Sequence, residues 1–197
     1  MITYLKGSFA SITPSHVVID VQGVGYEVNI SLNTFSKIQD KKEGLLFTHL
    51  LIREDAHLLF GFADVKEREI FLMLLSVSGI GANTARLILS YLKPNEIAAA
   101  ILNGDAKTLE QIKGIGKKTA ERAVLELKDK VAKQTPDAEI SAIAAPSTAS
   151  TVKQDALEAL IALGINRQQA DLHISKSLKG NPALELEELI KTVLKSL

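Results

Sequence analysis

Residues 74–92 read LLSVSGIGANTARLILSYL, and residues 109–127 read LEQIKGIGKKTAERAVLEL. Set 35 residues apart, the two stretches share the leading Leu, Gly-Ile-Gly, Thr-Ala and the closing Leu. Such self-similarity marks a duplicated supersecondary unit, here helix, tight turn, helix. Gly79, Gly81, Gly114 and Gly116 allow backbone conformations and close approaches closed to other residues. Between them Ile80 and Ile115 are expected to anchor each turn in the core. The second helix of each unit starts at once, so its unpaired N–H groups and positive dipole end point away from the turn. That arrangement suits an anion such as a phosphate.

Cations sharpen the reading. Lys117, Lys118 and Thr119 occupy the first turn of the second copy's helix, with Arg122 one turn on; Asn83 and Arg86 occupy this region of the first copy. A lone Gly-x-Gly between helices is often a plain connector. Two aligned copies, one followed by paired lysines, point to contacts with a nucleic-acid backbone, which read phosphate rather than base sequence. Two neighbouring motifs fail. Gln111 stands where a P-loop needs its first glycine, and Lys118 where it needs Ser or Thr. Thr84 and Thr119 hold the third-glycine position of a dinucleotide fingerprint, and neither copy follows a strand.

Working outward, residues 1–63 read as about five short strands without a long helical period, which suggests a small barrel of the OB type. The β-rich runs 16–21 and 26–30 flank the turn-like Gly23-Val24-Gly25, and 45–53 and 57–62 flank Glu54-Asp55-Ala56. Residues 64–133 read as helical. Asp64 with Glu67 has the form of a capping box, Ile70, Phe71, Leu74 and Leu75 follow at helical spacing, and helices are expected at 83–92, 95–102, 105–112 and 117–132. Residues 134–151 are rich in Ala, Ser, Thr and Pro and read as a flexible tether. Residues 152–197 regain helical periodicity as a small three-helix unit, broken at Gly164 and at Gly180-Asn181-Pro182.

Composition narrows the chemistry. The 197 residues contain no cysteine, which removes disulfides, thiolate metal sites and cysteine nucleophiles and suits a reducing compartment. His16, His49, His57 and His173 show no paired spacing, so no metal is expected. Without an apolar run long enough for a signal or a membrane span, a soluble cytoplasmic chain is expected. The net charge is zero, yet residues 63–133 hold 12 basic and 9 acidic side chains. The positive excess thus falls on the duplicated hairpins.

The sequence is similar throughout to the RuvA family of Holliday junction branch migration subunits. GVGYEV at 23–28, FTHLLIREDA at 47–56, LFGF at 59–62, the two GIG turns with GIGKKTAER at 114–122, and ALIALGI at 159–165 carry the resemblance. It implies an OB-fold domain, a tandem helix-hairpin-helix domain and a mobile three-helix, UBA-like C-terminal domain. It further implies a homotetramer, or an octamer, on four-way junction DNA. Its partners would be a RuvB-type hexameric ATPase and a RuvC-type resolvase, in recombination, DNA repair and the SOS response to DNA damage. No catalytic residue and no cofactor is implied.

Some residues read differently with and without the resemblance. Glu54 and Asp55 alone read as a solvated turn; the match makes them an acidic pin that repels phosphates, with Arg53 beside them placed to hold one. Leu160 and Leu163 alone read as core leucines; the match makes them contacts to the motor. The family usually has lysine where Asn83 stands, which weakens the first hairpin unless Arg86 compensates. Two other functions stay open: a single-strand-binding barrel, disfavoured by 5% aromatics, and a metal-dependent nuclease using the hairpins for grip.

Overall fold

A computed structural model describes residues 1–134, 148–181 and 184–196. Strands β1 (Tyr4–Ile12), β2 (His16–Val21), β3 (Val24–Ile30), β4 (Glu43–Ile52) and β5 (His57–Phe62) close a barrel in the order β1-β2-β3-β5-β4. Inward-facing Leu5, Val17, Ile19, Val28, Ile30, Leu46 and Leu59 form its core. Val17 with Ile19 on β2 and Val28 with Ile30 on β3 are spaced two residues apart, as a half-buried strand requires. Every pairing is antiparallel except β3 with β5, whose parallel register (Val28 opposite Leu59) seals the barrel. The expected OB-like architecture is present.

Two local readings shift. The β2–β3 turn sits one residue earlier than the glycines suggest: Gln22 (φ 53°) and Gly23 (φ 89°) make it, and Val24 and Gly25 already belong to β3. Positive φ at both central residues matches the twist of a tight hairpin, and Gly23 N donates to Asp20 Oδ1 at 2.8 Å. The larger difference is a helix, α1 (Leu32–Ile38), between β3 and β4. Its seven residues give too few turns for a helical period to stand out. Ser31 caps it, accepting from Thr34 N at 3.0 Å.

Helices α2 (Val65–Leu75), α3 (Ala82–Tyr91), α4 (Pro94–Leu102), α5 (Ala106–Glu110) and α6 (Lys117–Gln134) follow. Their shared core joins Ile70, Phe71 and Leu74 to Ile88, Leu89, Ile97, Leu109 and Leu127. Phe60 and Phe62 of β5 belong to the same cluster, with ring centroids 5.2 and 4.9 Å from Phe71. Barrel and hairpins, over the described residues 1–134, are therefore one packed unit.

Only half of the expected capping box at Asp64 forms. Asp64 Oδ1 accepts from Glu67 N at 2.8 Å. The Glu67 side chain turns inward instead, fully buried, and accepts from the hydroxyls of Ser31 and Thr34 on α1. Desolvation raises its pKa above the ordinary glutamate value, and the nearby Asp64 charge adds to this; the two hydroxyl donors oppose it. Asp64 is held below its usual range by Lys37 at 2.5 Å and the Glu67 amide, against its own partial desolvation.

The C-terminal unit comprises α7 (Thr148–Ala162), α8 (Arg167–Gly180) and α9 (Leu186–Ser196) around Ala156, Leu160, Ala170, Ile174, Leu189 and Val193. Gly164 (φ 90°) ends α7 as expected. Its amide donates to Ile161 O and that of Ile165 to Leu160 O, the paired bonds of a Schellman cap. Of the tether expected at 134–151, Gln134 lies in α6 and residues 148–151 in α7. Its remainder and Pro182 fall outside the described residues.

Candidate nucleic-acid interface

The 35-residue repeat is a repeat in space. Gly79 and Gly114 take φ of 95° and 93°, the left-handed region that only glycine enters freely. In the first copy Val77 N donates to Leu74 O and Ile80 N to Val77 O; in the second, Ile112 N donates to Leu109 O and Ile115 N to Ile112 O. Ile80 and Ile115 are each 5% exposed and anchor their turns as expected. One turn into the second helices, Ala85 and Ala120 are fully buried and donate back to Gly81 O and Gly116 O. Thus α2–α3 and α5–α6 are two copies of one hairpin, joined by α4.

What each turn offers outward is a row of donors. The amides of Gly81, Ala82 and Asn83, and of Gly116, Lys117 and Lys118, make no hydrogen bond among the described residues. They are the first donors of α3 and α6, which have no carbonyl one turn back to bond. The outer glycines are not demanded by the fold. Gly81 has an ordinary extended backbone (φ −87°, ψ 171°), and Gly116 has no positive φ. A Cβ added at either would meet nothing within 4 Å. Neither the backbone conformation nor the surrounding space therefore requires glycine at these two positions.

The two turns differ in charge. Lys117 and Lys118 are exposed at the second; Ala82, buried, and Asn83, exposed, replace them at the first. Lys113, just before Gly114, is also exposed where the first copy has Ser78. Counting cations only after the turn had overlooked it, although the repeat alignment marks its place. Thr119 and Arg122 face the first hairpin. A Cβ on Gly79 would lie 3.6 Å from Thr119 Oγ1, and Arg122 Nη1 donates to Ser78 O at 3.3 Å. Farther along α6, Lys130 Nζ donates to Ser76 Oγ at 2.9 Å. The second helix of one hairpin thereby braces the turn of the other, making one surface of two donor rows.

Arg86 does not extend that surface. Its Nη1 donates to Ser15 O at 2.9 Å and to Asn29 Oδ1 at 3.3 Å, both in the barrel. Burial lowers its pKa from the usual arginine value. The Nη1 end of the guanidinium is thus engaged by the barrel rather than turned to Asn83.

Arg53, Glu54 and Asp55 are exposed at the tip of the β4–β5 hairpin, where Arg53 N donates to Ala56 O at 2.8 Å. In the C-terminal unit the two leucines separate. Leu160 is fully buried, one turn after Ala156 on the inner face of α7, while Leu163 is 63% exposed. Leu160 belongs to the three-helix core, whereas Leu163 lies on the surface of the unit.

No group of three or more His, Asp or Glu that could hold a metal occurs among the described residues. Nor, among them, is any helix long and apolar enough to cross a membrane. His49, which stacks obliquely on Phe71 at 5.8 Å, has its pKa lowered by burial and by the Arg68 charge.

Three family models match in succession: the RuvA N terminal domain over residues 1–61, a SAM-like helix-hairpin-helix tandem over 71–129, and the RuvA C-terminal domain over 151–197. Among curated relatives, the chain is 48% identical over 197 residues to a protein of Christiangramia forsetii, covering all of both chains. It is 46% identical over 200 residues to one of Cytophaga hutchinsonii, covering 99% of each. It is 45% identical over 201 residues, again full length on both sides, to one of Bacteroides fragilis. All three relatives carry the name Holliday junction branch migration complex subunit RuvA. With matches of this extent laid over a barrel, a duplicated hairpin and a three-helix unit in that order, the chain belongs to the RuvA family.

Proposed function

We propose that this protein is the DNA-binding subunit of a branch migration complex. It grips four-way junction DNA by the phosphates of its arms and brings a RuvB-type hexameric ATPase to the junction through its C-terminal unit. The observation that carries the reading is the pair of glycine turns whose amides from Gly81 and from Gly116 onward are unpaired, with open space where a side chain on either glycine would stand. Each turn takes a phosphate, and two braced turns follow a backbone rather than an isolated anion. The second turn adds the charge of Lys113, Lys117 and Lys118.

The exposed acids Glu54 and Asp55 repel phosphate at the crossover and hold the strands apart, while Arg53 beside them takes a phosphate. Four copies around one axis match four arms, and a second tetramer on the opposite face would make an octamer. A RuvC-type resolvase joins the same complex, in the cytoplasm. The chain works without a cofactor and without chemistry of its own; the motor supplies the energy.

A gel-shift series with four-way, linear duplex and single-stranded DNA of equal length tests the reading. The junction should bind tightest and single strands weakest; tighter binding to single strands overturns it. Incubation of labelled junctions with Mg²⁺ should leave them intact, and cleavage by the purified protein alone would overturn the non-catalytic role.

A further inference from the structure

One arginine sits where a DNA contact is expected and does something else. Arg86 lies on α3, one turn after the amide donors of the first hairpin, beside the groove between α3 and the barrel that Ser15, Asn83 and Ser90 also line. Its Nη1 reaches across to Ser15 O and Asn29 Oδ1. Asn29 in turn donates through Nδ2 to Leu59 O at 3.2 Å, on β5. That strand and β4 carry the acidic tip at 54–55. A continuous polar path therefore runs from the first phosphate turn, through Arg86 and Asn29, to the strand pair bearing the acids.

The repeat supports a role outside the hairpin's own chemistry. At the 35-residue offset the mate of Arg86 is Glu121, an exposed acid on α6 that no phosphate-gripping hairpin requires. The cation at 86 belongs to the copy that abuts the barrel, and is matched there by two barrel acceptors.

We propose that Arg86 is a positioning residue: through Ser15 and Asn29 it sets where the first hairpin stands relative to the acidic β4–β5 tip, and so sets the preference for branched over linear DNA. The role rests on the junction-binding reading above. Linear duplex needs the hairpins alone. A junction needs hairpin and acids in register, because its arms and its crossover are gripped and repelled together. Loss of Arg86 then leaves duplex affinity in place and removes the extra affinity for the junction. A phosphate-contacting Arg86 has a different signature, since both affinities would fall and the salt slope of log K would drop by about 0.9.

The experiment uses the full chain carrying Arg86→Leu, Arg86→Lys, Asn29→Ala or Arg86→Leu with Asn29→Ala. Each is titrated by fluorescence anisotropy against a four-way junction and a linear duplex over a series of salt concentrations. Arg86→Leu and Asn29→Ala should each lower the junction-to-duplex affinity ratio by about tenfold, the scale of one lost hydrogen bond to a charged group. Their duplex salt slope should stay unchanged, and the double variant should lose little more than either single one. Arg86→Lys, which keeps the charge and a donor on a long side chain, should recover part of the ratio.

A full ratio in Arg86→Leu and Asn29→Ala, or a reduced duplex salt slope in Arg86→Leu, overturns the positioning role alone. Equal binding of junction and duplex by the unsubstituted chain overturns the junction reading and this role with it. If Arg86→Leu lacks a cooperative urea transition, Asn29→Ala and Arg86→Lys decide: a full ratio in Asn29→Ala overturns the role, and a reduced ratio at unchanged slope upholds it.

Discussion

The two glycines of each turn perform different tasks, and alanine separates them. At Gly79 and Gly114 φ is 95° and 93°, so alanine forces a left-handed backbone and costs about 1–2 kcal/mol of stability. At Gly81 and Gly116 neither φ nor space resists a methyl group. There alanine should leave stability unchanged or raise it by about 0.4–1 kcal/mol, because it restricts the unfolded chain. DNA binding should respond the other way. Under the proposed phosphate contact, a Cβ added at Gly81 or Gly116, beside the free amides, should keep a phosphate oxygen from them. Losing one charge-assisted hydrogen bond costs about 1.5–3 kcal/mol, or roughly 10- to 150-fold in Kd at about 1.4 kcal/mol per tenfold. Urea denaturation of each variant, paired with anisotropy titration on a fluorescent four-way junction, reads both quantities. Gly116→Ala that binds the junction like the unsubstituted chain would refute the argument that its missing side chain makes room for a phosphate. Clear destabilisation by Gly81→Ala or Gly116→Ala would refute the claim that the fold itself does not require glycine there.

Five other perturbations follow from the same geometry. Lys117→Ala with Lys118→Ala, both on exposed positions, should keep the urea midpoint and lower the salt slope of log K by up to about 1.8, near 0.9 per lost phosphate contact; an unchanged slope contradicts the phosphate role. Glu54→Gln with Asp55→Asn should leave junction affinity equal or higher and raise linear-duplex affinity more, by gel shift; weaker binding to both would show that the acids attract rather than repel. Because the Glu67 pKa is raised by folding, its contribution to stability is complete below the ordinary glutamate pKa and is lost as pH rises through the raised value. Urea midpoints from pH 4 upward should therefore fall further for the unsubstituted chain than for Glu67→Gln, and parallel profiles would refute the shift. Leu160→Ala should cost about 2–5 kcal/mol in the C-terminal unit, as for a buried leucine. Leu163→Ala should leave the circular-dichroism melt unchanged while weakening motor recruitment in a pull-down with a RuvB-type ATPase; equal melts for both would contradict their different burial.

The parts legible in the sequence are those whose cause is local. The Gly-Ile-Gly turns could be read because left-handed φ, a buried middle residue and an abrupt helix start each leave a mark within a few positions, and the repeat writes that mark twice. Strand alternation gave the barrel for the same reason, and Asp64 gave the start of α2. What escaped depends on residues far apart in the chain. Helix α1 has no period of its own to display. It is held by Ser31, by Asn33, whose side chain donates to Leu89 O and Leu92 O, and by Thr34, which donates to Glu67. Glu67 looked like a cap because its spacing from Asp64 fits one; the hydroxyls 33 and 36 residues earlier that draw it inward are invisible at that range. Leu160 and Leu163 are three positions apart on similar ground, and only the packing of α8 and α9 against α7 decides which is buried.

Those long-range contacts bear on function because repulsion is useful only at a fixed place. A carboxylate at the protein surface acts over about 8–10 Å before salt screens it, less than the width of one DNA duplex. If the barrel could swing relative to the hairpins, the acids at 54 and 55 would spend most of their time too far from any phosphate, or would press against an arm the hairpins were holding. Attraction tolerates such looseness, since lysine side chains on flexible stems follow a backbone; exclusion does not. Among the polar connections that tie the barrel to the helices are these three: Glu67 with Ser31 and Thr34, Asn33 with the end of α3, and Arg86 with Ser15 and Asn29. Their polar groups are costly to bury unpaired, so each bond resists the relative motion that would break it. On this reading the repulsive tip and the attractive turns discriminate a junction because the contacts between them are stiff, and loosening any one of the three should cost selectivity before it costs grip.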